Sequence, residues 1–114
     1  MIQISTPEEW SALKDRCLTE KKDLFLAKLS PACPVSHSAE AVLERWLPEH
    51  PQTTFIAARV DVIRARNLAR AIAKEVEVQH QSPQVVLLNS EGIAKWDSDH
   101  FDINEENLNQ QFPR

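Results

Sequence analysis

Two short apolar runs, Leu24 to Leu29 and Thr53 to Val60, flank a stretch whose apolar residues recur at helical spacing. The runs read as buried strands. Between them, Ala39, Val42, Leu43, Trp46 and Leu47 form the single stripe of an amphipathic helix. A strand, a helix and a second strand in this order demand parallel pairing through a helical crossover. A fold built only of hairpins or only of helices cannot satisfy that requirement.

The flanking sequence extends the pattern. Thr6-Pro7-Glu8-Glu9 is a helix start, with Thr6 as cap, Pro7 in the first turn and Glu9 completing a capping box. Trp10, Leu13, Cys17 and Leu18 are expected on the buried face of that helix, and Lys21-Lys22-Asp23 ends it. Pro48 to Pro51 closes the second helix. Leu68, Ile72 and Val76 mark a third, which lacks a terminal glycine, so Glu77 or a neighbour must close it. Gln84 to Leu88 is a β-branched apolar run, Asn89-Ser90-Glu91-Gly92 a hairpin turn, and Ile93 to Trp96 the return strand. Asn104 is placed to cap a last helix carrying Leu108 and Phe112, and Ile2 to Ser5 suits a short edge strand. The expected order is (β)αβαβαββα, a mixed α/β sheet with a parallel part and a C-terminal antiparallel hairpin.

The chain has 114 residues, 42% of them apolar and 26% charged, which suits one soluble domain spanning residues 1–114. A formal net charge of −4 gives no footprint for nucleic acid or an anionic membrane. No apolar run approaches a membrane span. The N-terminal residues carry neither a basic region nor an apolar signal core, so a cytoplasmic location is expected.

Cys33 falls where the first buried strand ends and the second helix begins. Unpaired N–H groups of a first helical turn, together with the helix dipole, favour the thiolate, the nucleophilic form of cysteine. Pro34, Val35 and Ser36 are therefore the candidate thiolate-stabilising residues. The motif reads Cys-x-x-Ser, so an oxidised Cys33 has no partner within it, and its natural partner is a thiol from another molecule. Cys17, in register with Trp10 and Leu13, is expected to be structural. His37, four residues after Cys33, shares its helical face, but no second compact ligand pair accompanies it, and no metal site is expected. Arg64, Arg66 and Arg70 read as a solvated face.

Lys28-Leu29-Ser30-Pro31-Ala32-Cys33-Pro34-Val35-Ser36 resembles the Lys-His-Ser-x-x-Cys-Pro-[Ile/Val]-Ser signature of the monothiol bacilliredoxins, the YtxJ-like family of the thioredoxin superfamily. Gln79-His80-Gln81-Ser82-Pro83-Gln84 is similar to that family's Lys-His-Glu-Ser-Pro-Gln, and Arg66, Trp96 and Ser98 to Ile103 resemble its later landmarks. The chain departs from the pattern at Leu29, Ala32 and Gln81, the first two beside the thiol. The resemblance implies a three-layer thioredoxin-like fold with a cis Pro83 facing Cys33, and Ser30, His80, Ser82 and Pro83 as substrate-binding residues. It implies a monothiol thiol–disulfide oxidoreductase, acting as a monomer with no tightly bound cofactor. A low-molecular-weight thiol, by resemblance bacillithiol, is the expected co-substrate. S-thiolated client proteins and a reductase are the expected partners. Two other readings stand beside this one: a thioredoxin-fold adaptor without turnover, and an iron–sulfur carrier using Cys33 and a small thiol.

Overall fold

A computed structural model of the chain describes residues 1–50 and 54–112. Among the described residues nine regular elements follow one another: β1 (Ile2–Ile4), α1 (Pro7–Glu20), β2 (Asp23–Leu29), α2 (Pro34–Trp46), β3 (Phe55–Asp61), α3 (Arg66–Val76), β4 (Gln84–Leu88), β5 (Ala94–Asp99) and α4 (Glu105–Gln111). Short 3-10 turns occupy Leu47–Glu49 and His100–Asp102. This is the expected order. The expected helix closure at Pro51 and strand start at Thr53 lie outside the described residues.

Local chemistry sets the element ends. The Thr6 hydroxyl accepts the Glu9 N–H at 3.1 Å, and the Glu9 carboxylate accepts the Thr6 N–H at 3.1 Å, so the capping box closes both ways. The Asn104 side chain caps α4 by accepting the Asn107 N–H at 2.9 Å. Without glycines to hand, α1 and α3 end on Lys21 (φ 55) and Glu77 (φ 58), both in the left-handed region.

The five strands form one sheet in the order β1-β3-β2-β4-β5. The β1-β3-β2 part is parallel and β2-β4-β5 antiparallel. Side chains alternate between the two faces. Leu24, Leu26, Ala58, Val60, Val86 and Leu88 pack with residues of α1 and α3. Phe25, Ala27, Phe55, Ala57 and Val85 pack with Leu43 and Trp46 of α2 and Leu108 of α4. Phe25 is the hub of that second core, stacked 6.0 Å from Trp46 and tilted 5.7 Å from Phe55. These are the three layers of the thioredoxin fold.

The structure corrects three local expectations. Leu18 is exposed rather than buried, because it lies one residue past Cys17 and so about 100° round the helix. Ile93 belongs to the turn, and β5 runs three residues beyond Trp96 to Asp99, since its polar residues sit on an edge strand with one solvated face. Phe112 follows the end of α4 and still packs on the Phe25 core.

Register decides what shares an end of the sheet. Leu29 pairs with Asp61, Lys28 with Gln84, and Gln84 with Asp99. The end of β2, the end of β3, the start of β4 and the end of β5 therefore lie side by side. The segments that hold Cys33 and Pro83 leave from this one end.

Candidate functional site

The Cys33 segment is short and held from several sides. Ser36 is buried, 1% exposed, and its hydroxyl accepts the Ser30 N–H at 2.7 Å, tying the first turn of α2 to the end of β2. The Ser30 hydroxyl accepts the Ala32 N–H at 3.3 Å. His37 Nε2 donates to the Pro31 carbonyl at 2.7 Å, and the His37 N–H to the Cys33 carbonyl at 3.0 Å. His37 is exposed and braces the loop.

Cys33 is the N-cap of α2, half-buried and unoxidised, and its thiol makes no capping bond. Pro34 carries no N–H, so its contribution is a fixed φ at the start of the helix. The Val35 and Ser36 N–H groups are the first-turn donors left for an anion at the N-cap. The Ser36 hydroxyl accepts the Ser30 N–H, which fixes the side chain and leaves its own O–H proton as a donor beside the Ser36 N–H. Cys17, by contrast, is 2% exposed, and burial pushes its thiol up. It lines a cleft of about 350 Å³ with Leu24 and Leu88 at the other end of the sheet, remote from Cys33.

Across the same end from Cys33, the Ser82–Pro83 bond is cis and Pro83 is buried. The Pro83 carbonyl accepts the His100 N–H at 3.0 Å. Beneath the loop lies a polar pair that reading along the chain did not single out. Lys28, 1% exposed, donates from Nζ to Gln84 Oε1 at 3.0 Å. Gln84 in turn accepts the Gln81 N–H at 3.4 Å and donates to the Gln79 carbonyl at 3.0 Å. The pair pins residues 79–83 from below. Burial pushes the Lys28 amine down to about 8. A lysine inside an apolar strand and a glutamine directly after Pro83 were the available signals, but their pairing spans 56 residues and needs the sheet register.

His80 is pushed down by burial, with Lys28 and Arg70 adding to the effect, so its imidazole is neutral at physiological pH. Its Nδ1 and the Ser82 hydroxyl are buried without a hydrogen-bond partner among the described residues. Sheet register brings Ser30, Cys33, His80, Ser82 and Pro83 to one end of the molecule. Beside the Cys33 loop opens a polar cleft of about 220 Å³ lined by Ser30, Ser36, His37, Glu40, Arg59 and Asp61. Glu40 and Arg59 form an ion pair there, so much of its charge is internally matched. No group of three or more metal-ligating side chains occurs among the described residues.

Residues 2–108 match the family described as monothiol bacilliredoxin BrxC. The chain belongs to the monothiol bacilliredoxin family. It is similar, at 30% identity and a TM-score of 0.78, to a thioredoxin-fold protein described only as a candidate oxidoreductase, covering 96% of this chain and 90% of that one. It shares its fold with thioredoxin NaTrxh from Nicotiana alata (16% identity, TM-score 0.75, covering 96% and 87%). The thioredoxin of Fasciola hepatica is likewise similar in fold (18% identity, TM-score 0.72, covering 97% and 95%). As a bacilliredoxin-family chain, the protein has a role in thiol redox chemistry.

Proposed function

We propose that Cys33 removes a low-molecular-weight thiol, bacillithiol by family, from S-thiolated client proteins. The Cys33 thiolate attacks the sulfur of the small thiol in the mixed disulfide. The bond between client and small thiol breaks, a Cys33–small-thiol disulfide forms, and the client sulfur leaves as thiolate and takes a proton. A second small-thiol thiolate then attacks the Cys33 adduct, restoring the Cys33 thiolate and leaving the oxidised small thiol, which a reductase returns to thiols. Each exchange conserves electrons, and thiolate fraction and access set its rate.

One observation carries this reading: a half-buried thiol caps α2, with Ser36 in the resolving position and the second cysteine buried at the far end of the sheet. A mixed disulfide on Cys33 has no internal thiol to resolve it. Ser82 and Pro83 form the opposite wall in this proposal, with the Ser82 backbone pairing to an extended client segment. The test is intact mass spectrometry after incubation with oxidised bacillithiol, glutathione disulfide and cystine in turn. A single adduct on Cys33, favouring bacillithiol, is expected. Adducts on Cys17, or none with any disulfide, would refute the proposal.

A further inference from the structure

Phe101 is 75% exposed, the most exposed of the large apolar side chains among the described residues. It stands in the 3-10 turn that leaves β5. That turn is anchored at the functional end of the sheet, because the His100 N–H bonds the Pro83 carbonyl and the turn packs against α2, the helix that begins at Cys33. His100 holds a left-handed φ of 50, a conformation that is sterically costly for a non-glycine residue. Its ring Nδ1 bonds the Asp99 carboxylate at 2.9 Å. A fixed, strained turn beside Pro83 thus presents an aromatic ring to solvent.

The segment that carries the ring is acidic. Asp97, Asp99, Asp102, Glu105 and Glu106 fall within ten residues, and His100 is the one basic side chain in that stretch. Asp97, Asp102, Glu105 and Glu106 are exposed, and none of these four forms an ion pair among the described residues. The chemistry of the partner supplies the complement. Protein cysteines that become thiolated are those held as thiolates, by a helix N-terminus or by Lys, Arg or protonated His beside them. A client cysteine of the second kind brings positive charge to this site. An aromatic ring takes up both an apolar side chain and the face-on approach of a cation.

Building on the reading of Cys33 as the exchanging thiol, we infer that Phe101 and the exposed carboxylates that flank it along the chain are the docking surface for the protein half of the mixed disulfide, selecting client segments with Lys or Arg and an apolar residue beside the thiolated cysteine. The small-thiol half makes no use of this surface.

Two peptides with a central cysteine held as a mixed disulfide with bacillithiol provide the test, one flanked by Leu and Lys, the other by Leu and Glu. Attack by Cys33 on the bacillithiol sulfur forms a Cys33–bacillithiol disulfide and releases the peptide as a free thiol, whose appearance by mass spectrometry gives the rate. The small probe is 2,2′-dipyridyl disulfide, followed by the absorbance of released pyridine-2-thione. At low ionic strength the wild-type chain is expected to react with the basic peptide roughly tenfold faster than with the acidic one, the scale that electrostatic steering and a central aromatic contact supply. Phe101→Ser, and separately Asp102→Asn with Glu105→Gln, should remove most of that preference and leave the rate with dipyridyl disulfide unchanged. Equal wild-type rates with the two peptides would overturn the docking surface while leaving the Cys33 reading intact. Equal slowing of the small probe by Phe101→Ser would overturn it too. If the wild type reacts with no disulfide, the Cys33 reading fails. Docking is then decided by NMR, using the basic peptide with Ser in place of Cys. Shifts of the Phe101 amide support the surface, and their absence overturns it.

Discussion

Two cysteines of one chain are given opposite characters by their surroundings. Cys33 caps a helix and is half-buried, whereas Cys17 is sealed in the α1 face of the core. Cys33→Ser is expected to abolish de-thiolation of a client, and Cys17→Ser to leave it largely intact, measured by release of the small thiol from a thiolated protein. Equal loss in two folded variants would make Cys17 a resolving cysteine. Lys28 is the residue whose chemistry only the fold creates. Its amine lies at about 8 in the folded chain against an ordinary 10.5. Below pH 8 the folded and unfolded states both carry the charge, and burying it costs on the order of 3 kcal/mol. Between about 8 and 10.5 the unfolded state binds more protons, so the lysine makes stability rise with pH. Burial of the Cys17 thiol, which is pushed up, contributes the opposite slope and does so equally in a Lys28 variant. Urea midpoints from pH 7 to 10 should therefore show Lys28→Met at least as stable as wild type at pH 7, with the gap closing as pH rises. A constant gap across the series would count against the assignment. Cys33 was legible in the sequence because its neighbours along the chain define its setting. Lys28 was not, because its partner Gln84 arrives from another strand.

At the scale of elements, the capped starts were readable and the uncapped ends were readable as problems. The chain has one glycine, Gly92, at φ 85 in the β-hairpin turn, so the helix ends must use other residues. Glu77 closes α3 in the left-handed region, as its missing glycine foretold. Glu77→Gly should raise stability by about 1 kcal/mol in urea unfolding, since glycine enters that region without the steric cost borne by a side chain. Glu77→Ala keeps a Cβ and should change little. At the other end of α1, Thr6→Ala should lower stability by about 1 kcal/mol by removing the acceptor of the Glu9 N–H. The extent of β5 was less legible: Asp97, Ser98 and Asp99 look like loop residues, and their pairing with Val86, Val85 and Gln84 is what makes them strand.

At the scale of the whole molecule, the sheet separates the two thiols. Cys17 lies near Leu24 and Leu88 at one end, and Cys33 follows Leu29 at the other. A seven-residue strand between them spans about 20 Å, far beyond the reach of a disulfide. Diamide oxidation without added thiol should therefore give chains joined through Cys33, and with added small thiol a Cys33 mixed disulfide, both visible by non-reducing mass spectrometry. A monomer lighter by two hydrogens as the main product would contradict this. The sequence by itself determined the order of elements, the parallel crossover and the helix-start position of Cys33, because periodicity, caps and helix starts depend on residues a few positions apart. That Ser82 and Pro83 lie at the same end of the sheet as Cys33 was reached from the sequence only through the family resemblance, and tertiary structure alone decided that Lys28 is buried against Gln84 and that Phe101 stands exposed on an acidic turn bonded to Pro83. Those arrangements depend on strand register, where each residue's partner comes from a distant part of the chain.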